Sequence, residues 1–305
     1  MIGPVALTGA TGFIGRHIAE QLLGNGRSVR ALTRRPQPDR PGLTWIGGDL
    51  EDPAALRRLA AGADAIIHCA GVVRGASAGH FHRVNVEGTR SLVEAVLHSA
   101  PSARFLLISS LAARMPGLSW YADSKRAAEL VLERATPALR WTAFRPPAVY
   151  GPGDRELVPL FRAMHRGWLP LAGPADARFS LLHASDLARA TFDWLSAEDA
   201  HRTFELDDGM PGGYDWNSVV ELARKSWGRR IRAARVPLLM LRCASRINLA
   251  LARLTGRDPM LTPGKVRELS HADWVCDNAP IVQYLEWEPK IRLADAMARP
   301  ALMGL

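Results

Sequence analysis

The sequence predicts an α/β fold, in which a doubly wound parallel sheet is followed by a smaller, mostly helical C-terminal domain. Two observations support this prediction. Short apolar runs alternate with helical patterns over the first half of the chain, an order typical of parallel sheets with helices on both faces. The second half is less regular and is rich in glycine, proline and tryptophan.

The first half contains the candidate strands and the helices between them. Near-continuous apolar runs such as Phe105-Leu106-Leu107-Ile108 are typical of strands that are covered on both faces. Helical patterns run over Pro53 to Ala60, about His80 to Ser99, and Trp120 to Arg134. The predicted strands lie in VALT (from Val5), SVRALT (from Ser28), LTWIGGDL (from Leu43), ADAIIHCA (from Ala63), ARFLLISS (from Ala103) and RWTAFRPP (from Arg140).

A glycine-rich turn separates the first strand from the first helix. Gly9, Gly12 and Gly15 lie three residues apart at this junction. Glycine lets the backbone turn tightly and lets a ligand approach without a Cβ in the way. The helix that follows offers free N–H groups and a positive dipole end to a pyrophosphate. The spacing is looser than G-x-G-x-x-G, so the turn alone fits a structural role equally well.

Composition and charge exclude several classes of function. Hydrophobic residues make up 48% and charged residues 23%, which is ordinary for a globular chain. The net charge of +9 comes mostly from arginines spread along the chain, without a nucleic-acid-binding motif, so we expect no nucleic-acid partner. Cys69, Cys243 and Cys276 show neither a disulfide framework nor metal-ligand spacing. With no signal-peptide pattern, we expect a cytoplasmic protein without a metal site.

One segment of the second half has the pattern of a basic amphipathic helix. Within Pro237 to Leu254, the side chains of Arg242, Arg246 and Arg253 fall on roughly one helical face, with leucines elsewhere. Such a helix can lie on a membrane surface. More often its apolar side packs against its own domain, and this is what we expect here, with membrane contact as the alternative.

Tyr121 and Lys125 are the candidate catalytic pair. They lie four residues apart in a helical pattern, which places both side chains on one face. A nearby ammonium group favours the phenolate and so helps a tyrosine to act as a base at neutral pH. The fifth predicted strand ends upstream at Ser109 and Ser110, where a hydroxyl can hydrogen-bond a substrate oxygen.

Taken together, these segments resemble the extended short-chain dehydrogenase/reductase superfamily, and the match covers about the first two thirds of the chain. The resemblance implies a Rossmann-type sheet and a bound dinucleotide, which favours the binding role for the glycine turn. The matching segments are TGATGFIG (Thr8 to Gly15), GDLED (Gly47 to Asp52), HCAG (His68 to Gly71), VNVEGT (Val84 to Thr89), ISS (Ile108 to Ser110), YADSK (Tyr121 to Lys125), FRPPAVYGPGD (Phe144 to Asp154) and LLHASDLARA (Leu181 to Ala190).

The resemblance also implies a role for each matching residue. Tyr121 would be the general acid/base, and Lys125 would bind the nicotinamide ribose and lower the pKa of Tyr121. Ser110 would hold the substrate oxygen, with Ser109 as the fallback. The cofactor-binding set would be Gly9, Thr11, Gly12, Phe13, Ile14 and Gly15 at the pyrophosphate, Asp49 and Leu50 at the adenine, Ala70 and Gly71 beneath the cofactor, and Pro146 to Val149, including Pro147 and Val149, near the nicotinamide.

The dinucleotide is predicted to be NADP, with NAD as the alternative. An acidic residue after the second strand would bind the ribose 2′-OH of NAD, whereas arginine accommodates the 2′-phosphate of NADP. The second strand here ends in LTRRP, which places Arg34 and Arg35 at this point and no carboxylate.

The resemblance leaves several reactions open. Dehydratases carry acidic residues after the serine position, whereas Leu111-Ala112-Ala113 follows Ser110 here, so we do not expect dehydration. We predict reversible, NADP-dependent hydride transfer between an alcohol and a ketone on a small apolar substrate. An NAD-dependent sugar-nucleotide epimerase is the first alternative, and a non-catalytic cofactor-binding scaffold is the second.

A further motif suggests a hydrolase and is rejected. GASAG (Gly75 to Gly79) matches the G-x-S-x-G nucleophile elbow, with Ser77 as nucleophile. That elbow requires a strand directly before it, whereas the predicted strand ends near Cys69. We therefore expect Ser77 to lie in a loop at the mouth of the cofactor site.

The predicted domains are not continuous in sequence. We assign residues 1–153 and 176–200 to the dinucleotide-binding domain, and residues 154–175 and 201–305 to the substrate-binding domain. The substrate pocket is expected in 154–175 and 203–305. The resemblance implies a homodimer that pairs through the helix of Tyr121 and the helix before it.

Overall fold

A seven-stranded parallel sheet forms the centre of the computed structural model, which describes residues 3–174 and 176–305. Residues 1, 2 and 175, at the edges of the predicted domain ranges, lie outside the described residues. The strands are β1 (Val5–Thr8), β2 (Val29–Thr33), β3 (Leu43–Gly47), β4 (Ala65–His68), β5 (Arg104–Ile108), β6 (Arg140–Arg145), β7 (Ala148–Tyr150), β8 (Trp168–Leu171), β9 (Arg178–Phe179), β10 (Leu181–His183), β11 (Arg202–Glu205), β12 (Arg232–Arg235) and β13 (Asp273–Trp274).

Helices connect the strands and cover both faces of the sheet. A π-helical turn over His82–Glu87 joins two of them, and a 3₁₀ turn over Leu111–Arg114 follows β5. The α-helices are α1 (Phe13–Gly24), α2 (Pro53–Ala60), α3 (Ala78–Phe81), α4 (Gly88–Ser99), α5 (Trp120–Ala135), α6 (Val158–His165), α7 (Ala184–Asp193), α8 (Trp216–Trp227), α9 (Leu238–Thr255), α10 (Pro263–Leu269), α11 (Ala279–Leu285) and α12 (Leu293–Ala298).

The strand order of the central sheet is β11-β6-β5-β4-β1-β2-β3. In the register, Leu7 of β1 lies between Ala31 of β2 and Ile67 of β4. The order reverses beside β1, and in such sheets ligands bind outside the carboxyl ends of the strands at this reversal. The predicted doubly wound sheet is confirmed, and its carboxyl edge is where the predicted cofactor residues lie.

Alternate side chains of the central strands supply two separate cores. Leu7, Ile67 and Leu106 pack in one cluster. Their neighbours Ile66 and Phe105 pack in the other. Because consecutive side chains of a strand point to opposite faces, burial on both faces requires an apolar residue at every position.

The second domain has a third hydrophobic cluster, which includes Phe161, Leu169 and Val219. The boundary with the first domain differs from the prediction at residue 200. β11 lies beyond that residue, yet it pairs with β6 as the seventh strand of the central sheet. Ile281 and Trp287 likewise pack in the first-domain cluster of Leu7. The sequence places the end of the sheet too early because the four residues of β11 are too short to predict.

α9 differs most from the prediction. Ser245 and Ala252 are its buried residues, while several of its large apolar side chains are exposed. The expectation that this helix packs its apolar side on its own domain is therefore wrong. Within the described part of the chain, no helix has the length and apolar character needed to cross a membrane.

Candidate functional site

The glycine turn between β1 and α1 is closely packed against the backbone around it. Gly9 has a φ of +77°, and a Cβ there would lie 2.7 Å from the backbone nitrogen of Ala70. A Cβ on Gly15 would lie 2.0 Å from the carbonyl oxygen of Gly9. Both positions therefore require glycine for close approach of the backbone.

The N-terminus of α1 is open toward the carboxyl edge of the sheet. Gly12 is the N-cap of this helix and has no side chain to accept a hydrogen bond from the first turn. The first N–H groups of an α-helix have no partner within the helix, and they bind anions well. The packed turn and the open helix end fit the pyrophosphate of a dinucleotide, and Thr11, Phe13 and Ile14 are the residues that would lie beside it.

A buried hydrogen-bond network joins the ends of β1 and β4. The Thr8 hydroxyl lies 2.7 Å from Nδ1 of His68 and accepts from the Ala70 N–H at 3.1 Å. Nε2 of His68 lies 3.0 Å from the Thr89 hydroxyl. The pKa of His68 is lowered to about 3, mainly by burial and to a smaller extent by the charge of Lys125. This imidazole is therefore neutral. The network fixes the Ala70-Gly71 turn.

Lys125 lies beneath that same turn. Its Nζ donates to the carbonyl oxygen of Ile108 at 2.9 Å, and a Cβ on Gly71 would lie 3.6 Å from this nitrogen. Burial lowers the pKa of Lys125. The structure thus brings the predicted residues Gly71 and Lys125 together from two parts of the chain.

α5 positions Tyr121 one turn before Lys125. The helix begins after Ser119, whose hydroxyl accepts from the Ala122 N–H at 3.0 Å as an N-cap. Burial raises the pKa of Tyr121 to about 12, and a hydrogen bond with Ser110 opposes this rise. Desolvation of the phenol is the largest cause of this rise, and the lowering of the pKa of Tyr121 by Lys125 stays a prediction. Tyr121 is a protonated phenol at neutral pH.

The two serines after β5 have different surroundings. The Ser109 hydroxyl is buried and donates to Oε1 of Glu129 at 2.6 Å. Glu129 is fully buried and also accepts two hydrogen bonds from Arg145, at 2.8 and 2.6 Å. The Ser110 hydroxyl accepts from the Ala112 N–H at 3.2 Å and can still donate. Ser110, and not the fallback Ser109, faces the site.

The loop after β6 is tied to the loop of Ser110. The Leu111 N–H donates to the carbonyl oxygen of Pro146 at 2.9 Å. The partly exposed Pro147 and Val149 follow directly. The predicted Pro146 to Val149 segment therefore adjoins the loop of Ser110.

The residues predicted at the adenine and the ribose follow β2 and β3, at the opposite end of the sheet's carboxyl edge from the loops after β5 and β6. Asp49 is exposed, and its Oδ1 accepts from the Glu51 N–H at 2.9 Å. Leu50 packs against Gly88 at the start of α4. Arg34 and Arg35 are exposed and line a groove with Asp39. Among the described residues, neither arginine forms an ion pair.

Asn85 is a site residue that the sequence analysis missed. It is buried in the π-helical turn, and its Oδ1 accepts from the Val72 N–H at 2.8 Å. Its Nδ2 donates to the Ser124 hydroxyl at 2.9 Å, which joins the turn after β4 to α5. The segment VNVEGT was the only signal for it, because π-helical turns have no periodicity that a sequence reveals. Such turns are frequent at functional sites.

Glu268 of α10 is the second residue that was missed. It accepts hydrogen bonds from the Ser119 hydroxyl and, at 3.0 Å, from Nζ of Lys265. Its charge contributes to the raised pKa of Tyr121. A Cβ on Gly264 would lie 2.8 Å from that of Ser119, so α10 packs closely against the start of α5.

A cavity of about 190 Å³ opens beside Tyr121. Phe81, Trp120, Leu249 and Met260 provide apolar parts of its wall, and Arg253 is one of its charged residues. Its lining comes from residues 73–81, 119–121 and 249–268. The expected contribution of residues 154–175 to the pocket is therefore not found in this cavity, and Phe161, Leu169 and Leu171 of that range pack in another hydrophobic cluster.

The structure places the other candidate motifs outside catalysis. The Ser77 hydroxyl caps α3 by accepting from the His80 N–H at 3.2 Å, and β4 ends at His68, so no strand leads into a nucleophile elbow. Over residues 3–174 and 176–305, no group of three His, Cys, Asp or Glu side chains is arranged to hold a metal ion.

Comparison with known proteins assigns the chain to a family. The sequence model of the "NAD dependent epimerase/dehydratase family" matches residues 5–206. A "Ceramide reductase" of Caulobacter vibrioides is 38% identical over 286 residues, which cover 92% of this chain and 88% of the relative. A "2-alkyl-3-oxoalkanoate reductase" of Stenotrophomonas maltophilia is 32% identical over 215 residues, 62% of this chain and 64% of that protein.

Solved structures of nucleotide-sugar enzymes share the fold of this chain. The structure of "MoeE5 in complex with UDP-glucuronic acid and NAD" has a TM-score of 0.75 and 25% identity, over 97% of both chains. A UDP-glucose 4-epimerase of Thermotoga maritima, at 18% identity, shares the fold with a TM-score of 0.75 over 97% of this chain and 96% of that one. The resemblance to extended short-chain dehydrogenases/reductases is confirmed, and the chain belongs to the NAD-dependent epimerase/dehydratase family.

Proposed function

We propose that this protein is an NADP-dependent reductase that converts a ketone on a long-chain, apolar substrate to an alcohol, with Tyr121 as the proton donor. The chain is an NAD(P)-dependent oxidoreductase, as its reductase relatives indicate. The NADP preference, the tyrosine mechanism and the substrate class are the parts that we propose.

The observation that carries the proposal is the apolar wall beside the Tyr121 phenol. Phe81, Leu249 and Met260 have no hydrogen-bonding groups in their side chains, and the Trp120 indole adds apolar surface with a single N–H donor. The rest of the wall includes the cationic side chains of Arg74, Arg253, Lys265 and Arg267, so the apolar part is one side of the cavity. Two relatives are named as reductases of ceramide and of 2-alkyl-3-oxoalkanoates. A ceramide and a 2-alkyl-3-oxoalkanoate both carry alkyl chains, which fit the apolar side of the cavity.

In the proposed reaction, a bound reduced nicotinamide would supply the hydride for the carbonyl carbon. The Tyr121 phenol gives its proton to the carbonyl oxygen, which becomes the alcohol. Ser110 donates a hydrogen bond to the same oxygen and orients it. Burial keeps Tyr121 protonated, which is the form that reduction needs. Lys125, held by the Ile108 carbonyl below Gly71, would bind the nicotinamide ribose.

Arg34 and Arg35 support NADP as the cofactor. They are exposed at the end of β2, where a ribose 2′-phosphate would lie in a Rossmann-type fold. Hydrogen bonds to a charged group contribute about 1.5–3 kcal/mol, so replacing both arginines by alanine is expected to weaken NADPH binding roughly 10- to 150-fold. NADH binding should not change, and Arg57→Ala on α2 is a matched control for surface charge. Equal losses for both cofactors would refute this role.

The sugar-nucleotide epimerase remains the second candidate. It is supported by the likeness to MoeE5, whose structure contains UDP-glucuronic acid and NAD. An epimerase retains its cofactor and shows no net oxidation, whereas a reductase consumes one NADPH for each ketone.

The test is a substrate panel followed at the absorbance of NADPH. Purified protein is mixed with NADPH or NADH and with a long-chain 3-oxo ester or amide dispersed in detergent. UDP-glucose is tested in parallel by separating its epimers. We expect NADPH consumption with the 3-oxo lipid and no epimer from UDP-glucose. Tightly retained NAD with epimerisation would overturn the proposal.

A further inference from the structure

We infer that α9 is a membrane-docking surface, which places the mouth of the cavity against the headgroups of an anionic lipid bilayer. This goes beyond the proposed reaction, because it concerns where the protein works and how a substrate reaches Tyr121.

The outer face of α9 is a continuous apolar strip. Its large side chains are more than half exposed, at 72% for Leu239, 63% for Met240, 62% for Ile247, 54% for Leu251 and 84% for Leu254. Met240, Ile247, Leu251 and Leu254 recur at intervals of three, four and seven residues, which aligns them on one face of the helix. A strip of this size on the surface of a chain marks an interaction site.

The inner face of α9 is firmly attached to the protein. Ser245 and Ala252 are buried, and Nδ2 of Asn248 donates to the Leu261 carbonyl at 3.0 Å. Arg253 donates to the Ala76 carbonyl at 3.3 Å. The helix is thus held with its apolar face outward as a fixed feature of the fold.

The sequence of α9 and of the segments beside it is strongly basic, and Asp258 is the first carboxylate after the helix. Residues 229–257 contain no aspartate or glutamate, and they include Arg229, Arg230, Arg232, Arg235, Arg242, Arg246, Arg253 and Arg257. Arg242 and Arg246 are both exposed on α9, and Arg246 directly precedes Ile247 of the apolar strip. A helix with an apolar face and flanking arginines lies in the interface of an anionic bilayer, where each cation is attracted by the negative surface.

The cavity opens beside this face. Leu249 and Arg253 of α9 line it, and so do the exposed apolar residues Val73 and Met260. Its volume of about 190 Å³ is smaller than the ~300–1,000 Å³ of pockets that enclose a whole drug-sized ligand. A ketone group fits in that space, whereas a long alkyl chain extends beyond it. This step rests on the proposed function: the alkyl chain of the substrate stays in the bilayer while its ketone group reaches Tyr121.

A bilayer fits this face better than a second copy of the chain. Two copies that pair through α9 would bring two sets of arginines together without a carboxylate in 229–257 to neutralise them. Anionic headgroups supply the missing negative charge. The predicted homodimer would use α4 and α5 instead.

The test is co-sedimentation of the full chain with lipid vesicles. The vesicles contain either phosphatidylcholine alone or an equal mixture of phosphatidylcholine and phosphatidylglycerol. One variant combines Ile247→Ser, Leu251→Ser and Leu254→Ser, a second combines Arg242→Gln and Arg246→Gln, and Leu269→Ser on α10 is the control. Thermal unfolding and activity on a water-soluble ketone show whether each variant is folded.

We expect the unchanged chain to bind the mixed vesicles, and to bind them less as salt is added. The apolar variant should bind about tenfold more weakly or worse. The arginine variant should bind the mixed vesicles roughly 30-fold more weakly than the unchanged protein at low salt. Both should match the control in thermal unfolding and in soluble activity. Because sedimentation does not depend on turnover, its result is separate from the outcome of the substrate panel.

Three results would overturn the inference. The first is that the unchanged protein does not sediment with either kind of vesicle. The second is that the apolar variant binds vesicles as tightly as the unchanged protein. The third is that light scattering shows a dimer of the unchanged protein that the apolar variant does not form. The last result would assign the strip to a second copy of the chain.

Discussion

Replacing Gly15 by alanine tests the packing of the cofactor turn. A Cβ at this position would lie 2.0 Å from the Gly9 carbonyl oxygen and 2.6 Å from its carbonyl carbon, which are backbone atoms that cannot rotate away. The turn must shift by more than an ångström, and overpacking of this kind costs up to about 3 kcal/mol. We expect the melting temperature to fall by roughly 4–12 °C and NADPH binding to be lost.

Gly12→Ala is the matched control for this change. Its Cβ would lie 3.2 Å from the same oxygen, and its φ of −80° is accessible to alanine. The stability cost should stay below about 1 kcal/mol, while NADPH binding weakens because a methyl group enters the pyrophosphate position. Differential scanning fluorimetry and a fluorescence titration measure both effects. If Gly15→Ala melts like the unchanged chain, the packing argument is refuted.

Two further predictions concern Tyr121 as the proton donor and the two serines that follow β5. Since burial raises the pKa of Tyr121 to about 12, kcat for reduction should stay level between about pH 7 and 10 and fall only above that range, whereas alcohol oxidation should rise with pH. A midpoint near pH 7 for loss of reduction would contradict this. Ser110→Ala should lower kcat with little change in stability, and Ser109→Ala should cost about 1.5–3 kcal/mol of stability because a hydrogen bond to the buried Glu129 carboxylate is lost. Denaturant unfolding and steady-state rates separate the two serines, and a reversed pattern would exchange their roles.

Local signals explain what the sequence predicted well. The helix over Pro53 to Ala60 has the predicted bounds, because Asp52 caps its first turn and a proline occupies its first position. The helix of Tyr121 was predicted to end at Arg134 and ends at Ala135. These features depend on side chains within a few residues of each other.

Features that depend on contacts distant in sequence were not predicted. Glu268 reaches the start of α5 only because α10 packs there, 149 residues further along the chain. The raised pKa of Tyr121 reflects burial by several elements. The outward apolar face of α9 has the same periodicity as an inward one, so periodicity alone could not show its direction.

The most direct test of the proposed chemistry is the turnover of Tyr121→Phe with NADPH and a 3-oxo lipid. Phenylalanine keeps the ring and removes the hydroxyl group that supplies the proton. General acid catalysis contributes about 10²- to 10⁴-fold, so we predict a loss of kcat in that range, with the Kd for NADPH changed less than about twofold. A variant that turns over at the rate of the unchanged chain would contradict the assignment of Tyr121 as the proton donor.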